Sequence, residues 1–315
     1  MVLFLMVYLM SFHLVMNSDD WFMIWLGLEV NMMMFLMIVY KRCSMFNIES
    51  CLKYFFIQSL GSAFFMGMFY FSKELLDVII CLILSYKIGA GPFFYWFPAM
   101  CKSVSWMSCF ILMSFQKIIP LMLMSLFVTK MILVLMGISL IVGSFGSFNQ
   151  KDLKQLIAYS SVYHLGWIFL CMFMDELSWA NYLIIYSILI WPVIFFLNGK
   201  NIVNLNEIVM MKNKKMMIIL MLSMSGMPPF LGFFLKWFVF VSIMEISVFY
   251  MIMLVMFSVI MFYVYFRVVY DILLGYTILG NWQNWNNENY ENISVDLMSA
   301  VGYLLGMMIG LWLLF

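Results

Sequence analysis

Long apolar runs that carry no charge constrain this chain most: residues 131–142 read MILVLMGISLIV and residues 248–266 read VFYMIMLVMFSVIMFYVYF, and similar runs recur from Met1 to Phe315. About 20 apolar residues in a helix cross the hydrocarbon of a bilayer. A membrane β-barrel would instead show segments of about ten residues alternating polar and apolar, and these runs are continuous. Only 10% of the residues are charged, against about 25% in soluble domains. The expected class is therefore an all-α, polytopic membrane protein.

Eleven spans are expected, at about 2–16, 21–40, 51–72, 76–98, 104–126, 130–148, 153–173, 178–197, 216–241, 247–272 and 297–315. Together they make one transmembrane domain over 1–315, with a core at about 21–272 and a terminal loop and helix at 273–315. Asn17, Ser18, Asp19 and Asp20 supply cap residues for the second helix. Lys and Arg in loops orient membrane helices. Connections after even-numbered spans hold Lys41, Arg42, Lys102, Lys151, Lys154, Lys200, Lys212, Lys214 and Lys215, and those after odd-numbered spans hold Lys73 and Lys130. The N-terminus belongs with the larger set.

Other residue types narrow the chemistry by exclusion. The six cysteines show no CxxC spacing, and His13 and His164 are the only histidines. A haem held by paired histidines or a Cys-ligated iron–sulfur cluster lacks its ligands, so no metal and no cofactor is expected in this chain. The cysteines read as small apolar fillers. A net charge of +1 gives no reason to expect nucleic acid as a partner. The N-terminus is apolar, without the Arg-rich amphipathic stretch of a transit peptide.

Four charges stand where they are expensive. Glu29, Lys87, Lys117 and Lys236 lie inside apolar runs, and a charge at mid-bilayer costs about 2.5–3.5 kcal/mol even on insertion scales, which marks such residues as functional candidates. Lys87 and Lys117 fall near the middle of their spans, out of easy snorkelling reach. Lys236 is nearer a span end, where snorkelling alone is the competing reading. Upstream of it, Gly226, Pro228, Pro229 and Gly232 must interrupt the helix, since the prolines lack N–H groups and their rings clash. Gly89, Gly91 and Pro92 follow Lys87 in the same way. A mere kink is the plain reading of each break; a lysine beside each makes them resemble the discontinuous helices of repeat-built transporters. Unwound backbone at that depth is tolerated only when buried in protein or lining a wet cavity.

His164 titrates near neutral pH and stands beside Tyr159, Ser160, Ser161 and Tyr163. It reads either as a packed core residue or as part of a relay. Glu49 and Lys53 one turn apart read as a solvated pair, and Arg267 with Asp271 as a helix-end pair.

These segments carry a resemblance. WLGLEVN (25–31), LKYFFIQS (52–59), KIGAGPFFYWFP (87–98), FQKIIP (115–120), FNQKDLKQLIAYSSVYHLGW (148–167) and SGMPPFLGFFLKW (225–237) resemble, in order, motifs of the subunit 2 family of mitochondrial NADH dehydrogenase, antiporter-like membrane subunits of respiratory complex I. Phe94 stands where that family has His, Leu235 where it has Pro, and Lys154 where it has Arg. The last 40 residues match none of its motifs.

The resemblance implies an antiporter-like fold lacking the first three helices of bacterial relatives. It implies that Glu29 and Lys87 form the charge pair of one half-channel, Lys117 the central connector, His164 a bridge and Lys236 the terminal lysine. It implies the mitochondrial inner membrane with the N-terminus in the matrix, and partners among the other membrane and accessory subunits of complex I. NADH, flavin, iron–sulfur clusters and ubiquinone would belong to other parts of that complex. Two rivals remain at this point: a stand-alone cation/proton antiporter, and an assembly subunit that keeps the charges without pumping.

Overall fold

The computed structural model describes residues 2–40, 44–68, 73–174, 177–200, 202–209, 214–228, 230–243 and 248–278. They are helical almost throughout: α1 (Val2–Asn17), α2 (Trp21–Val39), α3 (Met45–Gly67), α4 (Lys73–Ile88), α5 (Trp96–Ser103), α6 (Trp106–Met113), α7 (Phe115–Leu126), α8 (Met131–Gly146), α9 (Leu153–Met174), α10 (Ser178–Lys200), α11 (Leu205–Val209), α12 (Lys214–Ser225), α13 (Leu231–Ile243) and α14 (Val248–Ile278). In a lipid solvent every backbone polar group needs an internal partner, and the helix supplies it segment by segment.

Among the described residues, six helical stretches are long and apolar enough to cross a membrane: Trp21–Val39, Leu76–Phe93, Trp106–Leu126, Leu153–Met174, Ser178–Lys200 and Val248–Leu274. Three shorter apolar helices accompany them, Leu3–Asn17, Met131–Gly146 and Leu231–Ile243. The chain is thus an all-helical membrane protein. The eleventh expected span, 297–315, lies outside the described residues. Helix α3 is less apolar because its first half carries the exposed Glu49–Lys53 pair, 2.5 Å apart.

Nearly all of α9 is buried, and it forms the axis of the bundle against α5, α6, α8, α10 and α13. Small residues let α8 and α9 approach, as in membrane helix pairs generally. A Cβ on Gly143 would lie 2.4 Å from the backbone nitrogen of Tyr163, and one on Gly166 would lie 2.7 Å from Leu140.

Three of the connections expected on one face contact one another. Lys102 pairs with Asp152 at 2.8 Å, Lys154 Nζ donates to the Val104 carbonyl at 2.6 Å, and the Leu153 amide donates to Val203 at 2.9 Å. Two local expectations change. Asp20 occupies the N-cap of α2 without a side-chain cap hydrogen bond. Arg267 donates to the carbonyls of Phe148 and Gln150 instead of pairing with Asp271. Those carbonyls lie where α8 ends, so they offer the guanidinium fixed acceptors. Cys51, Cys81, Cys101, Cys109 and Cys171 are free and buried, as fillers would be, and Cys43 lies outside the described residues.

Candidate functional site

The chain end of α4 builds the first part of the site. Gly89 has φ +74° and Gly91 φ +57°, left-handed values that glycine adopts without steric penalty. The Ala90 amide donates to Ser85 O at 3.0 Å and the Gly89 amide to Tyr86 O at 3.3 Å, the two bonds of a Schellman ending. A 3-10 turn, Gly91–Phe93, contains Pro92 and leads to α5. Lys87 therefore sits in the last turn of α4, beside unwound backbone, and is 5% exposed. Its own carbonyl accepts from Gln58 Nε2 at 2.8 Å. Gly61 leaves room for its stem: a Cβ there would lie 2.8 Å from Lys87 Cγ.

Glu29, half-buried on α2, accepts a hydrogen bond from the Ser62 hydroxyl of α3. It is not joined to Lys87 in a direct ion pair within 4.0 Å among the described residues.

Lys117 is more deeply buried, at 2% exposure. Its Nζ donates to Ser161 O on α9 at 3.3 Å and lies 4.9 Å from the ring centre of Phe97. It belongs to a third interrupted span. α6 stops at Met113 and α7 starts at Phe115, with Ser114 at φ −111°, ψ −76° between them. Pro120 inside α7 removes one intrahelical donor and presses its ring toward the preceding turn. Lys87 and Lys117 line one cavity of about 20 Å³ with Asn31, Gln58, Gln116 and Pro120.

His164, 2% exposed, lies one turn along α9 from Ser161. Its Nδ1 and the Tyr182 hydroxyl share a hydrogen bond of 2.8 Å, and the Tyr186 ring centre is 4.6 Å away. Its Nε2 is buried without a direct partner among the described residues.

Lys236 on α13 reaches back to the end of α12. Its Nζ donates to Ser225 O at 2.8 Å. Gly226, at φ +82°, ends α12, and Gly232 brings the two half-helices together: a Cβ there would lie 2.0 Å from Ser223 O. Pro228 lies in the connection, and Pro229 lies outside the described residues. A second cavity, about 260 Å³, opens beside Lys236 between α13 and α14, lined by Trp237, Phe240, Ser258 and Phe262 among others.

The five ionisable candidates lie on α2, α4, α7, α9 and α13, four of them buried and Glu29 half-buried. Residues 18–75 and 72–261 match the family described as "NADH:quinone oxidoreductase/Mrp antiporter, TM". NADH-ubiquinone oxidoreductase chain 2 of Anopheles gambiae is 33% identical over 94% of this chain and 92% of its own length. That of Locusta migratoria is 34% identical over 95% and 93%. The chain belongs to the NADH-ubiquinone oxidoreductase chain 2 family. A chain of respiratory complex I from Thermus thermophilus shares the fold at a TM-score of 0.81, with 19% identity over 98% of this chain and 77% of that one. A chain of the Mrp complex from Dietzia shares it at 0.70, with 11% identity over 87% and 59%.

Placed on this chain 2 family member, the quoted motifs hold more than their charges. Asn31, Gln58 and Gln116 all line the lysine cavity. Each is a lone amide in an apolar run, the signal that could have singled them out. Ser62, Tyr182 and Ser225 carried no such signal, because Ser and Tyr are common in membrane helices. Phe94 packs its ring against Tyr95 and Tyr159.

Proposed function

We propose that this chain is a proton-translocating membrane subunit of respiratory complex I, working in the mitochondrial inner membrane and coupled to NADH:ubiquinone oxidoreduction. The observation that carries this reading is the placement of Lys87, Lys117, His164 and Lys236 in the buried interior, three of them beside interrupted helices. A membrane protein keeps such groups at a cost, and a relay is what they can do: each amine or imidazole binds and releases one proton, and its hold on that proton depends on its neighbours.

In this reading Glu29 sets the state of Lys87 through its field. Lys117 passes charge toward His164, and Lys236 hands it to the far side. The chain supplies no redox group; NADH, flavin, iron–sulfur clusters and ubiquinone bind elsewhere in the complex, and the other membrane and accessory subunits are its partners. The eleven-span count and the matrix N-terminus rest on the Lys/Arg bias of the loops. The contacts among residues 102–106, 148–154 and 202–207 support grouping those loops on one face.

Two measurements test the reading. Membranes resolved on a native gel and stained for NADH oxidation should show this chain in the stained band. A cysteine placed at Asn204 should react with an impermeant maleimide from the matrix side. A chain found only outside the stained band, with intact cation/proton exchange, would establish the stand-alone antiporter instead.

A further inference from the structure

The relay leaves the cavity beside Lys236 without a task. It holds about 260 Å³ between α13 and α14 and opens on the outside of the bundle, where Trp237 and Val259 are exposed. Phe233, Phe240 and Phe262 complete its walls. The hydroxyls of Ser225 and Ser258, also in the lining, are spent on the carbonyls of Leu222 and Val255, at 2.7 and 2.8 Å. A buried water needs two to four polar partners, and cavities lined by apolar side chains stay dry and take apolar guests.

Lys236 is the one ionisable side chain in that lining. It is 8% exposed, and its ammonium donates to Ser225 O at 2.8 Å. No carboxylate lies within 4.0 Å of it among the described residues. Gly226, on the cavity wall, has no side chain to cover the ammonium. The site therefore offers apolar walls and a single cation, and a buried cation is stabilised by an anion beside it.

Depth decides which anion. α12 holds 12 residues from Lys214 to Ser225, about 18 Å of rise. That is over half of a hydrocarbon core about 30 Å thick, so the ammonium that meets Ser225 lies far from the Lys214–Lys215 end. A phosphodiester keeps its charge and stays with the headgroups. A carboxylic acid sheds its charge by taking up a proton, and so reaches this depth. We propose that the cavity between α13 and α14 binds a free long-chain fatty acid, its carboxylate on Lys236 and its acyl chain along Trp237, Phe240 and Phe262. The acid arrives neutral. Its O–H bond breaks as the neutral amine takes the proton, a new N–H bond forms, and an ammonium–carboxylate pair remains. The site stands apart from the proton-translocating reading. Its consequence rests on that reading: a proton held by the pair is withheld from the relay, and coupled turnover stops at Lys236.

The test uses the assembled complex in proteoliposomes and palmitic acid carrying a diazirine in mid-chain. Illumination should label residues 233–240 and 258–262, read by mass spectrometry of the digested chain. Unlabelled palmitate should compete, and methyl palmitate, which has no acid proton, should not. Lys236→Met removes the ammonium, and Ser258→Phe fills the cavity while keeping it. Each should lower labelling at these residues about tenfold, the worth of about 1.4 kcal/mol of binding. Should Ser258→Phe fail to assemble, Ser258→Leu carries the same expectation. Labelling that survives both substitutions would overturn the site, as would equal competition by methyl palmitate or phosphatidylglycerol. Absence of label in the assembled complex would mean that another subunit covers the cavity, and would overturn it too. Palmitate should also lower ubiquinone-linked turnover, read with an ionophore present so that uncoupling by the acid plays no part, and leave ferricyanide reduction unchanged. Labelling at the site with native turnover at saturating palmitate would leave the site standing and remove Lys236 from the relay, so the two failures are told apart.

Discussion

The Nζ of Lys236 lies 2.8 Å from the carbonyl oxygen of Ser225, the last residue of α12. The final carbonyls of a helix have no intrahelical partner and carry the negative end of its dipole, so the broken helix itself supplies the ammonium with a counter-charge. Gly226 makes this possible, at φ +82° and with its absent Cβ only 2.9 Å from Nζ. Gly226→Ala forces a left-handed conformation costing about 1–2 kcal/mol and displaces the ammonium. The solubilised complex should lose thermal stability, read as a lower inactivation midpoint, and coupled turnover should fall with it. An unchanged midpoint would mean that the turn at 226 is not held as described.

Two other glycines separate folding from function. A Cβ on Gly143 meets the backbone of Tyr163 at 2.4 Å, and backbone cannot swing aside. Gly143→Ala should push α8 from α9 and abolish assembly, seen as loss of the complex on a native gel. At Gly61 the neighbour is the flexible stem of Lys87, at 2.8 Å. Gly61→Ala should assemble and lower coupled turnover through the moved lysine. The reverse order of severity would contradict the packing.

Glu29 and Lys87 form no direct ion pair, so the proposed relay couples them through the carboxylate's field. Unit charges about 8 Å apart interact by about 2 kcal/mol at an effective dielectric of roughly 20, enough to bias protonation. Glu29→Gln keeps the shape, and Ser62 still finds an oxygen to donate to, so assembly should persist while coupled turnover and proton transfer fall. Glu29→Asp, which keeps the charge, should be milder. Normal pumping by an assembled Glu29→Gln complex would make the carboxylate structural.

Much of this arrangement was legible in the sequence because run length and the charge inside a run are local properties. Lys87 and Lys236 announced themselves with the glycines and prolines beside them. The break at Ser114 was missed: only Pro120 marks it, and a lone proline reads as a kink. What residues 33 or 85 positions apart do together, as in the hydrogen bonds Ser62–Glu29 and Gln116–Asn31, depends on how helices pack, which periodicity does not encode. Arg267 shows the same limit. Spacing offered Asp271 as a partner, but the end of α8 brought better-placed carbonyls.

The loop before α11 has its own pH dependence. The Val203 amide at 2.8 Å, helped by that of Asn204 at 3.3 Å, holds the exposed Glu207 carboxyl below its usual range. A carboxyl lowered in the folded state contributes stability above its ordinary value and loses it as pH falls through the lowered one. Exchange protection of those two amides, corrected for intrinsic rates, should hold through neutral pH and disappear only in acid. Glu207→Gln should remove the pH dependence, and protection that persists at every pH would rule out the carboxylate as its source.

Lys117 stands at the middle of the proposed relay, with Lys87 across one cavity and His164 one helical turn beyond its Ser161 contact. Lys117→Met keeps the stem and deletes the ammonium, leaving no buried charge to compensate. The direct measurement is the number of protons moved per NADH oxidised by the assembled complex in sealed proteoliposomes, with ferricyanide reduction as the control. The relay predicts a lower ratio or blocked ubiquinone-linked turnover, with ferricyanide reduction at its native rate. A native proton ratio at native turnover in the assembled Lys117→Met complex would contradict it.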